Sequence, residues 1–234
     1  MQGMQGMKMD EMGSGLPAWL TTLSWLWIVA AIISAAIVAF DVYGRGDRPQ
    51  RPIVAAIWPL SALYLGPLAI VLQRRNVRRR EVPAAAPKAQ SGLALGLQGG
   101  VASGLAHIVG VPIVVLTGLT IANVDMWAMV AIITVLATIM LVLFELAVVA
   151  SPADRQAAAT RLRTAAVIAL VTVVAFDVGM LGWMLVLYYS DSMPMATDVR
   201  FTFLMQVGLV LGTLTAAPIV SRLSRRPRTE AQLA

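Results

Sequence analysis

Residues 165–188 read AAVIALVTVVAFDVGMLGWMLVLY. The run carries one charged side chain, Asp177, and shows no polar face at the 3.6-residue period expected of a helix that meets water. At about 1.5 Å per residue it makes a helix of roughly 36 Å, longer than the ~30 Å hydrocarbon core of a bilayer. The stretch therefore predicts a membrane-spanning helix with a carboxylate near its middle.

Working outward, five more segments pass the same length test: about 16–40, 53–72, 101–121, 127–150 and 201–220. Composition agrees. The chain is 59% hydrophobic and 13% charged, with a mean hydropathy of +0.78, whereas soluble domains run near 25% charged. The expected fold is all-α, a polytopic bundle of about six spans whose first partner is the lipid bilayer. The first segment is too long, and too closely followed by others, for a cleaved signal peptide, and only Lys8 precedes it.

Lysine and arginine placement predicts the orientation. Residues 73–92 hold QRRNVRRRE and Lys88, 151–164 hold Arg155, Arg161 and Arg163, and the tail holds Arg222, Arg225, Arg226 and Arg228. Six spans with both termini in the cytoplasm put 14 of the 18 basic residues on that side. The net charge of +6 thus reads as a topology signal and a contact for anionic head groups, not for nucleic acid. The chain divides into a Met-rich tail (1–15), a two-span hairpin (16–72), a basic Pro/Ala-rich linker (73–92), a four-span bundle (93–220) and a basic tail (221–234). The Gly-rich start of the third segment, LALGLQGGVASGLAHIVG, is its weakest part. Were that segment not to cross, the N-terminus would lie outside.

Several chemistries are excluded by residue counts. No cysteine is present, so disulfides and thiolate metal sites are absent. One histidine, His107, rules out a multi-histidine cage, and the only lysines, Lys8 and Lys88, fall in polar segments. No catalytic motif stands out, and the chain is not expected to be an enzyme.

What remains is a soft donor set. Met180 and Met184 follow Asp177 at spacings of three and seven, which places all three on one helix face. Thioethers suit Cu(I) and need no deprotonation. Met1, Met4, Met7, Met9 and Met12 crowd the N-terminus, and Met193 and Met195 form MPM before the last span. The bland reading is that methionine fills gaps in apolar cores. A carboxylate near the midplane costs several kcal/mol unless paired, hydrated or protonated. Asp177 therefore reads either as part of a cation or proton path, with His107 and Glu145 as further members, or as an interhelical hydrogen bond. Glu145 alternatively snorkels to the interface, and His107 alternatively packs. Asp41, at the end of the first span, is expected at the interface near Arg45 or Arg48. Pro59, Pro67, Pro112 and Pro218 predict kinks. Gly99, Gly100, Gly104 and Gly110 in the third span, with Gly179 and Gly182 in the fifth, predict close helix contacts.

The stretches LPAWLTTLSWLWIVAAIISAAIVAFDVYGRGDRPQR, WPLSALYLGPLAI, FDVGMLGWM and FLMQVGLVLGTLTAAPIV together resemble the bacterial membrane-protein family known as domain of unknown function 4396. The resemblance implies a multi-span protein of the cytoplasmic (inner) membrane without an assigned activity. It also implies a His-Cys-Gly-x-Gly-Cys-like stretch at the start of the third span. Here that place reads AHIVGVPIVV, with His107 retained and Ile108 and Pro112 where the cysteines would stand. The Met180-x3-Met184 spacing is similar to the pore methionine pair of Ctr-type copper transporters. Two functional expectations follow. One is handling or transport of a small cation, Cu(I) or proton-coupled, along the Asp177–Met180–Met184 face. The other is a structural or assembly role, binding partner helices or a second copy through the Gly-rich third span.

Overall fold

The computed structural model describes residues 16–45, 52–81, 92–149 and 155–223. They form seven helices: α1 Ala18–Tyr43, α2 Pro52–Leu65, α3 Pro67–Glu81, α4 Gly92–Thr117, α5 Asp125–Val149, α6 Arg155–Tyr189 and α7 Val199–Leu223. No strand is present among the described residues. Parts of α1, α4, α5, α6 and α7 are long and apolar enough to cross a membrane, so five helices qualify, not six. The all-α, multi-pass expectation holds at that level.

The difference lies in segment 53–72. Its apolar helical stretch, Ala55–Leu65, is too short to cross, because the chain breaks at Gly66. Gly66 has φ +57°, a left-handed value that only glycine adopts at little cost. Its N–H donates to the Ala62 carbonyl (2.9 Å) and closes α2, while its own carbonyl accepts from the Ala69 N–H (3.1 Å) and opens α3. Pro67 supplies the pre-set φ of a first helical residue. A Cβ at Gly66 would also sit 3.2 Å from Cζ2 of Trp27 on α1.

Two contacts give the direction of α3. Gly66 lies beside Trp27, in the first half of α1. Arg74, eight residues later, bonds Asp41 near the far end of α1, with Nη2 3.0 Å and Nε 3.1 Å from Oδ2. Trp27 and Asp41 are separated by roughly 21 Å of helix. Arg74 can reach Asp41 only if α3 reverses and returns toward the end from which α2 came. So α2 and α3 form a helical hairpin whose tip reaches partway into the bundle.

The remaining helices alternate. Arg200 Nη1 donates to the Leu16 carbonyl (3.4 Å), which places the starts of α1 and α7 together. On α4, Gly96 lies beside Thr213 and Ala217 of α7, and Gly104 beside Leu209, an antiparallel order. On α6, Gly179 meets Leu211 and Thr215, whereas Trp183 Nε1 donates to the Leu204 carbonyl (2.9 Å), again antiparallel. We call the end where α1 and α7 begin the upper end. The beginning of α1 and the close of α7 therefore lie at opposite ends, not at one end as six crossings would require. The third segment, over Gly96–Thr117, is long and apolar enough to cross.

Glycine lets α6 and α7 touch. A Cβ at Gly179 would lie 2.6 Å from both the Leu211 carbonyl oxygen and Thr215 Oγ1. Thr215 Oγ1 in turn lies 2.9 Å from the Ala175 carbonyl, a donor between the two helices. Small residues and such hydroxyls are the adhesives available where lipid removes the hydrophobic difference between inside and outside.

Candidate functional site

Asp177 sits on α6, half-buried, and its Oδ2 accepts a hydrogen bond from Thr134 Oγ1 of α5 at 2.9 Å. Among the described residues the ion pairs are Asp41 with Arg45 and Arg74, and Asp198 with Arg200. None of them includes Asp177.

Met180 and Met184, on the same face of α6, are buried at 4% and 8% exposure. With Asp177 and Thr134 they line a cavity of about 40 Å³ between α4, α5, α6 and α7. That is room for an ion or a few waters, since one water needs roughly 10–15 Å³ on this scale. The same lining includes His107 from α4, Met126 and Met129 from α5, and Met205 from α7. Five thioethers, one imidazole and one carboxylate thus converge from four helices.

The local reasons are simple. Met126 and Met129 are one turn apart at the start of α5, so one face carries both. His107 Nδ1 lies 2.7 Å from the Ser103 carbonyl one turn back. A carbonyl only accepts, so Nδ1 carries the proton, and in the neutral ring the lone pair is on Nε2. Ser103 Oγ donates to Met180 Sδ at 3.7 Å and orients that thioether. Among the described residues no three His, Asp or Glu side chains converge, so a metal at this site would be held chiefly by sulfur, the donor class of Cu(I).

The predicted residues divide. His107, Asp177, Met180 and Met184 meet in one cavity. Glu145 is in α5, eleven residues beyond Thr134, or roughly 16 Å along the helix. Its side chain lies outside the described residues, and the cavity forms around the other half of α5. Met193 is buried in the main apolar cluster and Met195 is exposed, and neither lines the cavity. Met1, Met4, Met7, Met9 and Met12 lie outside the described residues. Asp41 is buried at 4% exposure between Arg45 and Arg74. Met126, Met129 and Met205 join the set from tertiary placement. The three-residue spacing of the first two was a readable signal, while Met205 had none.

A second, larger space of about 320 Å³ lies between α2, α4 and α7. His107, Val111, Met180, Phe201 and Met205 line both spaces and form the wall between them. Ile108 and Pro112, where the resemblance implied cysteines, line only the larger one.

No curated protein and no solved structure matches this chain. A family model does, over residues 91–227. The match takes in α4 to α7, the four helices that build the methionine cavity, and leaves α1, α2 and α3 outside. The chain belongs to the family described as Domain of unknown function (DUF4396).

Proposed function

We propose that this is a bacterial inner-membrane protein that binds a soft monovalent cation, Cu(I), in the cavity between α4 and α7. The observation that carries the reading is the convergence of Met126, Met129, Met180, Met184 and Met205 with His107 and Asp177. Packing alone accounts for methionine in a core, but it does not call for an imidazole and a carboxylate in the same lining. The thioethers select a soft ion, Nε2 of His107 adds a nitrogen donor, and Asp177 supplies the charge that offsets a monovalent cation.

The orientation we propose follows the positive-inside rule. Five crossings with a returning α2–α3 hairpin group the segments holding 16 of the 18 basic residues at the lower end, leaving Lys8 and Arg200 at the upper end. The six-span arrangement separates them only as 14 and four. The lower end is then cytoplasmic. The methionine cavity then falls in the outer half, the half in which α1 begins, so copper collected ahead of α1 would be handed on at that side.

Titration of Cu(I) into detergent-purified protein against a chromogenic Cu(I) chelator tests the site. The full chain should bind one ion at the cavity. Met180→Leu/Met184→Leu and Met129→Leu/Met205→Leu should each weaken it at least tenfold, and removal of residues 1–12 should leave it in place. Affinity unchanged in both double variants overturns the reading.

A second reading has its own observation, the Thr134–Asp177 hydrogen bond between α5 and α6. On that reading Asp177 holds the bundle for an assembly role and meets no cation. Asp177→Asn keeps an acceptor for Thr134, so it should then be silent in stability and in copper binding alike.

A further inference from the structure

The larger space is closed below by the hairpin. α7 descends from the upper end and α4 climbs toward it. Met205, Leu209 and Thr213 therefore mark successive turns downward on α7, and Gly104 and Gly100 do so on α4. His107, Met180 and Met205, at the top, separate the space from the methionine cavity. Tyr64 of α2 crosses the bottom. Its hydroxyl lies 3.4 Å from Thr213 Oγ1, and a Cβ at Gly100 would collide with it.

The part of the hairpin that closes the space is short. Residues 60–65 lie between two interruptions of the helix. Pro59, inside α2, has no N–H to offer the Ala55 carbonyl. Gly66 ends α2 in the left-handed conformation. Beyond it, α3 is tied to α1 by Arg74 and Asp41. Residues 60–65 instead meet α7 through the Tyr64–Thr213 pair and through Gln206 Nε2, which donates to the Leu63 carbonyl at 2.6 Å.

This seam holds polar groups that closure leaves unmet. Among the described residues, the buried side-chain amide oxygens without a hydrogen-bond partner are those of Gln73, Gln98 and Gln206. Gln73 is on the hairpin, Gln98 borders a space of about 60 Å³ with Ile57 of α2, and Gln206 holds Leu63. None has surface open to water in the closed arrangement. Burying an acceptor in this way costs free energy that water restores once it enters.

We infer that residues 60–65 are a gate with Tyr64 as its latch. They swing about Pro59 and Gly66 and admit water from the lower end into the larger space. Water entering along the seam meets the unpartnered oxygens, which offsets the packing lost on opening and brings the two arrangements closer in free energy. Opening exposes the wall of His107, Met180 and Met205 from below. Resting on the copper reading, the same motion gives the bound ion an exit toward the lower end.

Gly104→Cys, placed in the otherwise cysteine-free full chain, tests the gate. A Cβ there meets nothing nearer than Leu209 Cδ1 at 3.7 Å, so the packing is kept. In proteoliposomes this thiol should react with a trimethylammonium methanethiosulfonate applied in water from the side that labels Arg75→Cys, the lower end. Adding Tyr64→Phe, which removes the latch hydroxyl and keeps the ring, should raise that rate at least tenfold and leave the rate from the upper side unchanged. Thr213→Val takes its place if Tyr64→Phe fails to insert. A lower-side rate that does not rise overturns the gate, and so does an equal rise from both sides, which is general loosening. Met180→Leu/Met184→Leu should leave the reaction of Gly104→Cys as it is, so failure of the copper site and failure of the gate are separate outcomes.

Discussion

Arg74 of α3 grips Asp41 of α1 through Nη2 and Nε, at 3.0 and 3.1 Å from one carboxylate oxygen. Arg45, one turn beyond Asp41 on the same helix, takes the other oxygen at 3.1 Å. A carboxylate buried this deeply needs such partners, and one of them ties the returning arm of the hairpin to the end of α1. In a six-span chain these arginines would lie on opposite faces of the membrane.

The chain has no cysteine, so single replacements report sidedness directly. Gly44→Cys and Arg75→Cys should react with an impermeant maleimide from the same, cytoplasmic side. Thr120→Cys and Thr197→Cys should react only from the other. Labelling of residues 44 and 75 from opposite sides would restore six crossings and remove the hairpin.

The turn at Gly66 should tolerate no side chain. Its left-handed φ costs an L-residue about 1–2 kcal/mol, and a Cβ would press on Trp27 at 3.2 Å. Gly66→Ala should lower the unfolding midpoint in detergent by an amount corresponding to about 2 kcal/mol or more. A variant as stable as the parent would show that the tip rearranges freely.

Gly179 and Gly182, three residues apart on α6, should behave oppositely. Alanine at 179 meets a backbone oxygen at 2.6 Å and must push α6 from α7, whereas alanine at 182 has no neighbour within 4 Å. Gly179→Ala should destabilise by roughly 1–3 kcal/mol, the usual range for overpacking. Gly182→Ala should be neutral or stabilise by about 0.5–1 kcal/mol through helix propensity. Thermal unfolding of the two variants side by side checks this.

At the upper end, the hydrogen bond from the Arg200 side chain to Asp198 holds that carboxyl below its ordinary 3.8. A depressed folded value means that the pair's stabilisation is present above the unfolded value and is lost as pH falls through the folded one. Stability should therefore be flat above about pH 5 and decline below pH 4, by only about 0.2–1 kcal/mol for a surface pair. Asp198→Asn should remove that small decline. Unfolding midpoints measured across pH 3–6 would show whether it does.

Much of this protein was open to reading from its sequence. Apolar runs of twenty or more residues can bury their backbone in a bilayer only as helices, which settles the all-α, multi-pass class. Helical spacing likewise puts Asp177, Met180 and Met184 on one face before any neighbour is known. Hydropathy alone could not count the crossings. Residues 53–72 are as apolar as a span, and what divides them is one backbone torsion at Gly66, secured by Trp27 and by Arg74 reaching Asp41. Those partners come from another helix, so the reversal is invisible to a sliding window. The cavity shows the same division. The helical period determined which residues share a face of α6. Only the packing of α4, α5 and α7 against that face decided that it meets His107, Met126, Met129 and Met205, because the contacts joining them span up to about a hundred residues of chain and no local rule connects them.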